Sequence, residues 1–118
     1  MGLDLIEIAR VRSALERHGD AFRARCFTTA ERAYCDGKAN PAQHYAGRFA
    51  AKEAVGKALG TGVHFNWREI EIAGRPKPGV RLTGGAALAA KRLGVARIDV
   101  SMTHSRELAA AVAVVVPL

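Results

Sequence analysis

The chain has 118 residues, 49% of them apolar and 25% charged, enough for one packed core and without the charge excess of a disordered segment. No apolar run approaches the roughly 18 residues of a membrane span, and the opening MGLDLIEIAR lacks the basic-then-apolar order of a secretory signal, so the expected compartment is the cytoplasm. Thirteen Arg and five Lys against 11 acids give a net charge of +7, which favours a polyanionic partner: a nucleic acid, a phosphorylated cofactor or an acidic protein.

Gly2 to Leu5 has the content of a short strand, after which Ile8, Val11, Leu15, His18 and Phe22 recur at helical steps and predict a first helix from about Glu7. Gly19-Asp20 interrupts it, the apolar stripe continuing beyond the break. Thr28 and Glu31 have the spacing of a capping box opening a short helix that Gly37 ends. Asn40-Pro41 opens what reads as the longest helix, running to Leu59 and stopped by Gly60-Thr61-Gly62. Ile70 and Ile72 alternate with Glu69 and Glu71, and Val80 and Leu82 resume after a Pro/Gly segment, which predicts a hairpin. Thr83 to Leu93 reads as an Ala-rich helix closed by Gly94. Ile98, Val100 and Met102, a turn over Thr103 to Arg106, and Leu108 to Val116 predict a second hairpin. Cys26 and Cys35 have neither the spacing of a zinc site nor a disulfide framework and read as reduced, buried thiols.

Two acids carry the chemical interest. Asp4 stands among apolar residues of the first strand, where a carboxylate needs compensation; it is either a cap for the first helix or half of a metal site. Four-residue spacing puts Phe49, Glu53 and Lys57 on one stripe of the long helix, with Lys52 beside Glu53 and one turn after Arg48. Glu53 and Lys57 form either a surface pair or part of a site. Ala50, Ala51, Ala54 and Gly56 keep the neighbourhood small, as the close approach of a ligand or another chain requires. Gly60-Thr61-Gly62 offers backbone amides to a phosphate, a weak signal beside its role as a helix stop.

Taken together, these residues resemble one family. Gly2-Leu3-Asp4-Leu5-Ile6-Glu7-Ile8-Ala9-Arg10-Val11 is similar to the opening motif of the holo-[acyl-carrier-protein] synthases, small bacterial phosphopantetheinyl transferases. Gly47-Arg48-Phe49-Ala50-Ala51-Lys52-Glu53-Ala54, followed by Lys57-Ala58-Leu59-Gly60-Thr61-Gly62, resembles their signature. Val100 to Ala110, with His104 at its centre, resembles their last hairpin. The family usually carries several more strand residues before the glycine that precedes its first aspartate, so the strand holding Asp4 is expected to be short or frayed. The Arg75 to Gly79 turn is longer than is common.

The resemblance implies an α+β fold, a single phosphopantetheinyl transferase domain over residues 1–118 with antiparallel hairpins packed on one long and several short helices. It also implies transfer of phosphopantetheine from coenzyme A to a serine of an apo acyl carrier protein, releasing 3′,5′-ADP, in fatty acid biosynthesis. Phosphoryl transfer needs charge neutralisation and in-line positioning, which one Mg²⁺ and several cations supply. Asp4 and Glu53 are the expected Mg²⁺ ligands, and Lys57, Arg48, His104 and Gly60-Thr61-Gly62 the expected contacts to coenzyme A. Glu53, directly or through a metal-bound water, or Lys57 with a lowered pKa, is the candidate general base. Arg10 and Arg17, seven residues apart on one side of the first helix with Arg23 and Arg25 following, are expected to meet an acidic carrier. A homotrimer with active sites between subunits is a further implication. No membrane or nucleic-acid partner is expected, the competing reading being a small basic nucleic-acid-binding module without catalysis.

Overall fold

The computed structural model describes residues 1–60, 65–74 and 77–118. Strand β1 (Gly2–Glu7) leads into helix α1 (Ile8–Cys26), followed by α2 (Thr29–Asp36) and α3 (Pro41–Ala58). A single 3-10 turn, Trp67–Glu69, precedes the hairpin of β2 (Ile70–Ala73) and β3 (Gly79–Leu82). Helix α4 (Gly84–Arg92) connects it to the long hairpin of β4 (Val95–His104) and β5 (Leu108–Pro117). The fold is α+β, as expected, and every strand pairing is antiparallel.

The three-stranded sheet has the order β1-β5-β4, so the last strand is central and the first is an edge. The expected fraying of the first strand does not occur: β1 pairs along its whole length, from Gly2 opposite Ala113 to Glu7 opposite Leu108. Alternation then decides which residues face inward. Gly2, Asp4 and Ile6 share the face of β1 that packs on α3, whereas Leu3 and Leu5 point away and are 66% and 62% exposed.

Helix α1 covers 19 residues but consists of two helical segments joined at a kink, so α3, with 18, is the longest uninterrupted helix among the described residues, as expected. Gly19, at φ 48° and ψ −122°, bends α1 where the sequence predicts a break. The Thr28 hydroxyl accepts from the Glu31 amide at 3.3 Å and Glu31 accepts from the Thr28 amide at 2.9 Å, forming the predicted capping box. Asn40 precedes α3 without capping it; its side chain instead donates to Gln43 at 3.2 Å.

The small residues of α3 have a different purpose from the one their pattern suggests. Ala50, Ala51 and Ala54 are fully buried in a core shared with Ile98, Val100, Ala111 and Ala113 of the sheet. The close neighbour is thus the chain's own sheet. A Cβ on Gly2 would collide with the Ala54 carbonyl oxygen and the Ala58 amide, so only glycine lets β1 lie this near α3. That approach brings Asp4, two residues further along the same face, to the helix. A second cluster, with Ile8, Val11, Phe27, Cys35 and Tyr45, joins α1 and α2 to the other side of α3.

Candidate active site

Asp4, Glu53 and Lys57 come together where β1 crosses the C-terminal half of α3. The Lys57 ammonium donates to Asp4 Oδ1 and to the Leu3 carbonyl, both at 3.0 Å. The Asp4 side chain is 16% exposed and that of Lys57 49%, so the pair opens to solvent from its lysine end. Burial raises the pKa of Glu53, the nearby Asp4 carboxylate raises it further, and Lys57 works against both. Asp4 does not cap α1, because Glu7 occupies the position before Ile8 and the Ile8 amide bonds to the Glu107 carbonyl at 2.8 Å. Nor is Lys57 simply the surface partner of Glu53, since it turns to the strand.

Two nearby carboxylates, one resisting ionisation through burial first and its neighbour second, form a donor set that suits a hard cation. Among the described residues no group of three or more His, Cys, Asp or Glu could hold a metal ion.

The remaining candidates lie elsewhere. Arg48, nine residues before Lys57, projects from the opposite side of α3 and is 6% exposed. Its guanidinium carbon lies 3.9 Å from the centroid of the Tyr34 ring, and its buried Nε has no hydrogen-bond partner. His104 ends β4 on the helix-facing side and packs its ring nitrogens against the Gln43 amide. Gln43 is about 15 Å along the helix axis from Glu53, so a single chain does not bring His104 to the carboxylates. The Gly60 amide is already engaged, donating to the Lys57 carbonyl at 3.0 Å as α3 closes with Gly60 at φ 76°. Gly60 thus acts as the helix stop that its sequence position suggests. Thr61 and Gly62 lie outside the described residues. Arg10 and Arg17 are exposed on α1 and make no ion pair among the described residues. Arg23 is drawn away instead, bonding Asp36 at 3.2 Å over the Tyr45 ring.

Sequence reasoning missed a second ion pair beside the site. Lys52 Nζ lies 2.7 Å from Glu31 Oε1 with both side chains fully buried, and it also donates to the Ile70 and Trp67 carbonyls at 2.5 and 3.0 Å. The other oxygen of Glu31 accepts from the Ile72 amide at 2.8 Å. Burial lowers the Lys52 pKa while Glu31 opposes the shift. The only local signal is the capping box, which marks Glu31 as satisfied and hides its long-range partner.

This arrangement belongs to an enzyme class. The family model of the 4′-phosphopantetheinyl transferase superfamily matches residues 1–113, and the chain belongs to that family. Within it the resemblance is to the holo-[acyl-carrier-protein] synthases. The chain is 46% identical over 116 residues to the holo-[acyl-carrier-protein] synthase of Chlamydia trachomatis serovar D, covering 97% of this chain and 96% of that protein. The fold matches the Helicobacter pylori holo-[acyl-carrier-protein] synthase in complex with coenzyme A, with a TM-score of 0.86, 28% identity and 98% of each chain covered. It also matches the Neisseria meningitidis holo-[acyl-carrier-protein] synthase, with a TM-score of 0.87, 30% identity and coverage of 97% and 94%. The chain is an enzyme of the phosphopantetheinyl transferase type.

Proposed function

We propose that this enzyme transfers the 4′-phosphopantetheine group of coenzyme A to a serine of an apo acyl carrier protein, in a Mg²⁺-dependent reaction that releases 3′,5′-ADP and serves fatty acid biosynthesis. The observation that carries the reading is the meeting of Asp4, Glu53 and Lys57 across β1 and α3 in a member of this family. A serine oxygen forms a bond to phosphorus as the pyrophosphate P–O bond to the nucleotide breaks. Asp4 and Glu53 would hold the Mg²⁺, which supplies charge neutralisation to the pyrophosphate when bound.

Lys57 would contact the same phosphate oxygens. It already donates to two oxygens, which suits a cation rather than a base. The serine proton would go to Glu53, directly or through a metal-bound water, or to Lys57 if its surroundings lowered its pKa. Arg48 and His104 are assigned to the nucleotide phosphates, and with them the Gly60-Thr61-Gly62 segment past α3, less the Gly60 amide. Arg10 and Arg17 receive the carrier.

A homotrimer with active sites between subunits fits two otherwise unrelated facts. His104 lies far from the carboxylates of its own chain, and the outer sheet face exposes Leu3, Leu5 and Val114. Family membership displaces the reading of a basic nucleic-acid module. No helix among the described residues is long and apolar enough to cross a membrane, and the proposed compartment is the cytoplasm.

Incubation with coenzyme A and several apo carriers, with and without Mg²⁺, tests the proposal through the intact mass of the carrier. The expected result is one phosphopantetheine on serine only when Mg²⁺ and coenzyme A are both present. An unchanged mass with every carrier would overturn it.

A further inference from the structure

Lys57 has a particular choice of acceptors. Glu53 stands one turn before it on the same stripe of α3, yet the ammonium donates to Asp4 Oδ1 and to the Leu3 carbonyl, both at 3.0 Å. β1 is an edge strand, paired with β5 alone among the described residues, so the Leu3 carbonyl takes a side chain where a neighbouring strand would otherwise donate. Bonded to a backbone oxygen as well as a carboxylate oxygen, Lys57 is anchored at the acidic pair rather than left to sample solvent.

The two halves of this contact differ in freedom. The Asp4 side chain is 16% exposed, and its strand lies so close to α3 that a Cβ on Gly2 would collide with the Ala54 carbonyl and the Ala58 amide. Lys57 is 49% exposed, sits in the last turn of α3, and swings on a flexible four-carbon stem. When the contact opens, the lysine is therefore the member that moves. A divalent cation drawn to Asp4 and Glu53 meets an ammonium already bonded to one Asp4 oxygen, and like charges that close repel. A diphosphate supplies the opposite charge and gives the ammonium other oxygens to bond.

We propose that Lys57 is a built-in competitor for the cation at Asp4: it keeps a divalent ion weakly held by the protein alone, and turns to the diphosphate of coenzyme A when that arrives. Cation and coenzyme A then bind cooperatively, and because coupling is reciprocal each tightens the other by the same factor. The inference rests on the shared Asp4 and Glu53 site proposed above. It gives Lys57 a second duty beside phosphate contact, the suppression of metal binding before substrate.

Titrations of the full chain with Mn²⁺, a paramagnetic probe of the Mg²⁺ site, test this through the signal of unbound metal, with and without coenzyme A and with the metal taken up by coenzyme A alone subtracted. Without coenzyme A, Lys57→Met is expected to bind Mn²⁺ about tenfold more tightly than wild type, while Lys57→Arg, which keeps the charge, stays within about threefold. Coenzyme A should tighten Mn²⁺ binding about 100-fold for wild type and about tenfold for Lys57→Met. The gain in Lys57→Met should persist in about 0.5 M salt, which screens distant charges far more than a contact at 3.0 Å. If Lys57→Met does not fold, Lys57→Gln carries the same comparison. Binding no tighter than wild type, a gain that vanishes in salt, or equal tightening by coenzyme A in both proteins overturns the competition. A wild type that takes up no Mn²⁺ even with coenzyme A, or an Asp4→Asn, Glu53→Gln double variant that takes it up as well as wild type, overturns the shared metal site itself, so the two failures are distinct.

Discussion

Lys52 and Glu53 are adjacent on one helix and live in opposite electrostatic worlds. Lys52 and Glu31 meet at 2.7 Å with no exposure of either side chain, and Lys52 has three oxygen acceptors in all. One residue on, Glu53 faces Asp4 and Lys57, whose 3.0 Å contact is open to solvent. The sealed pair is complete: it ties α2, α3 and the start of β2 together and leaves nothing for a ligand to satisfy. The open group is incomplete, with two carboxylates sharing one lysine. Within one helix, burial with full hydrogen bonding marks structure, and exposed imbalance marks the site.

That contrast can be broken first on the open side, where the largest loss of activity is expected. Asp4→Asn and Glu53→Gln keep shape while removing charge, and each should reduce turnover by about 10²–10⁴-fold without unfolding. Because both residues would act on one ion, the double substitution should cost far less than the product of the single losses. Mg²⁺ should raise the melting temperature of wild type and not of the double variant. Losses that multiply as though independent would separate the two carboxylates.

The sealed side should fail in the other currency. Lys52→Met leaves Glu31 buried without its cation and is expected to destabilise by about 3–5 kcal/mol, while Lys52→Met with Glu31→Leu should regain much of that loss. Denaturant melts of the three variants check this. A single variant as stable as the double would show that the pair is not what holds α2 to α3.

The same contrast explains what was legible in the sequence. Local periodicity and capping are written in neighbouring residues, so the two hairpins, the bend at Gly19, the Thr28–Glu31 box and the 49/53/57 stripe appear as read, except that Thr103 and His104, expected in the turn, extend β4 and pair with Ala110 and Ala109. What covers each face is not written locally. The alanines of α3 look like room for a ligand and prove to be room for the sheet, because Gly2 admits β1 beside Ala54. Lys52 meets Glu31 from another helix, and Arg48 turns with it toward α2 rather than toward Glu53. His104 belongs to the correct hairpin but sits at the far end of α3, a placement set by strand length.

A smaller effect is expected at the exposed arginines of α1. Arg10→Glu or Arg17→Glu should raise KM for the carrier by about fivefold to tenfold, with little change in KM for coenzyme A, since the two substrates are assigned to different surfaces. Equal loss of both would merge those surfaces. The sealed region supplies the counterpart: changes there should leave both KM values near wild type for any variant that still folds.

The smallest effect on activity is expected deepest in that sealed region. Cys35 is fully buried, and desolvation pushes its thiol up to about 12, Arg48 opposing the shift and Glu31 and Asp36 adding to it. Cys35→Ala should leave turnover within about twofold at neutral pH and cost about 1 kcal/mol of stability through the small void. The pH dependence follows from the thiol's ordinary value of 9.0. Below that value both folded and unfolded states keep the proton, and the wild-type advantage is complete. Above it the unfolded chain releases a proton that the folded chain retains, so stability falls as pH rises from about 9 toward about 12. The alanine variant has no such group. Melts of both proteins between pH 7.5 and 10.5 should therefore converge as the wild type declines faster. A gap that stays constant across that range would mean the thiol is not held protonated by burial, and that the region around Cys35 admits more water than its packing implies.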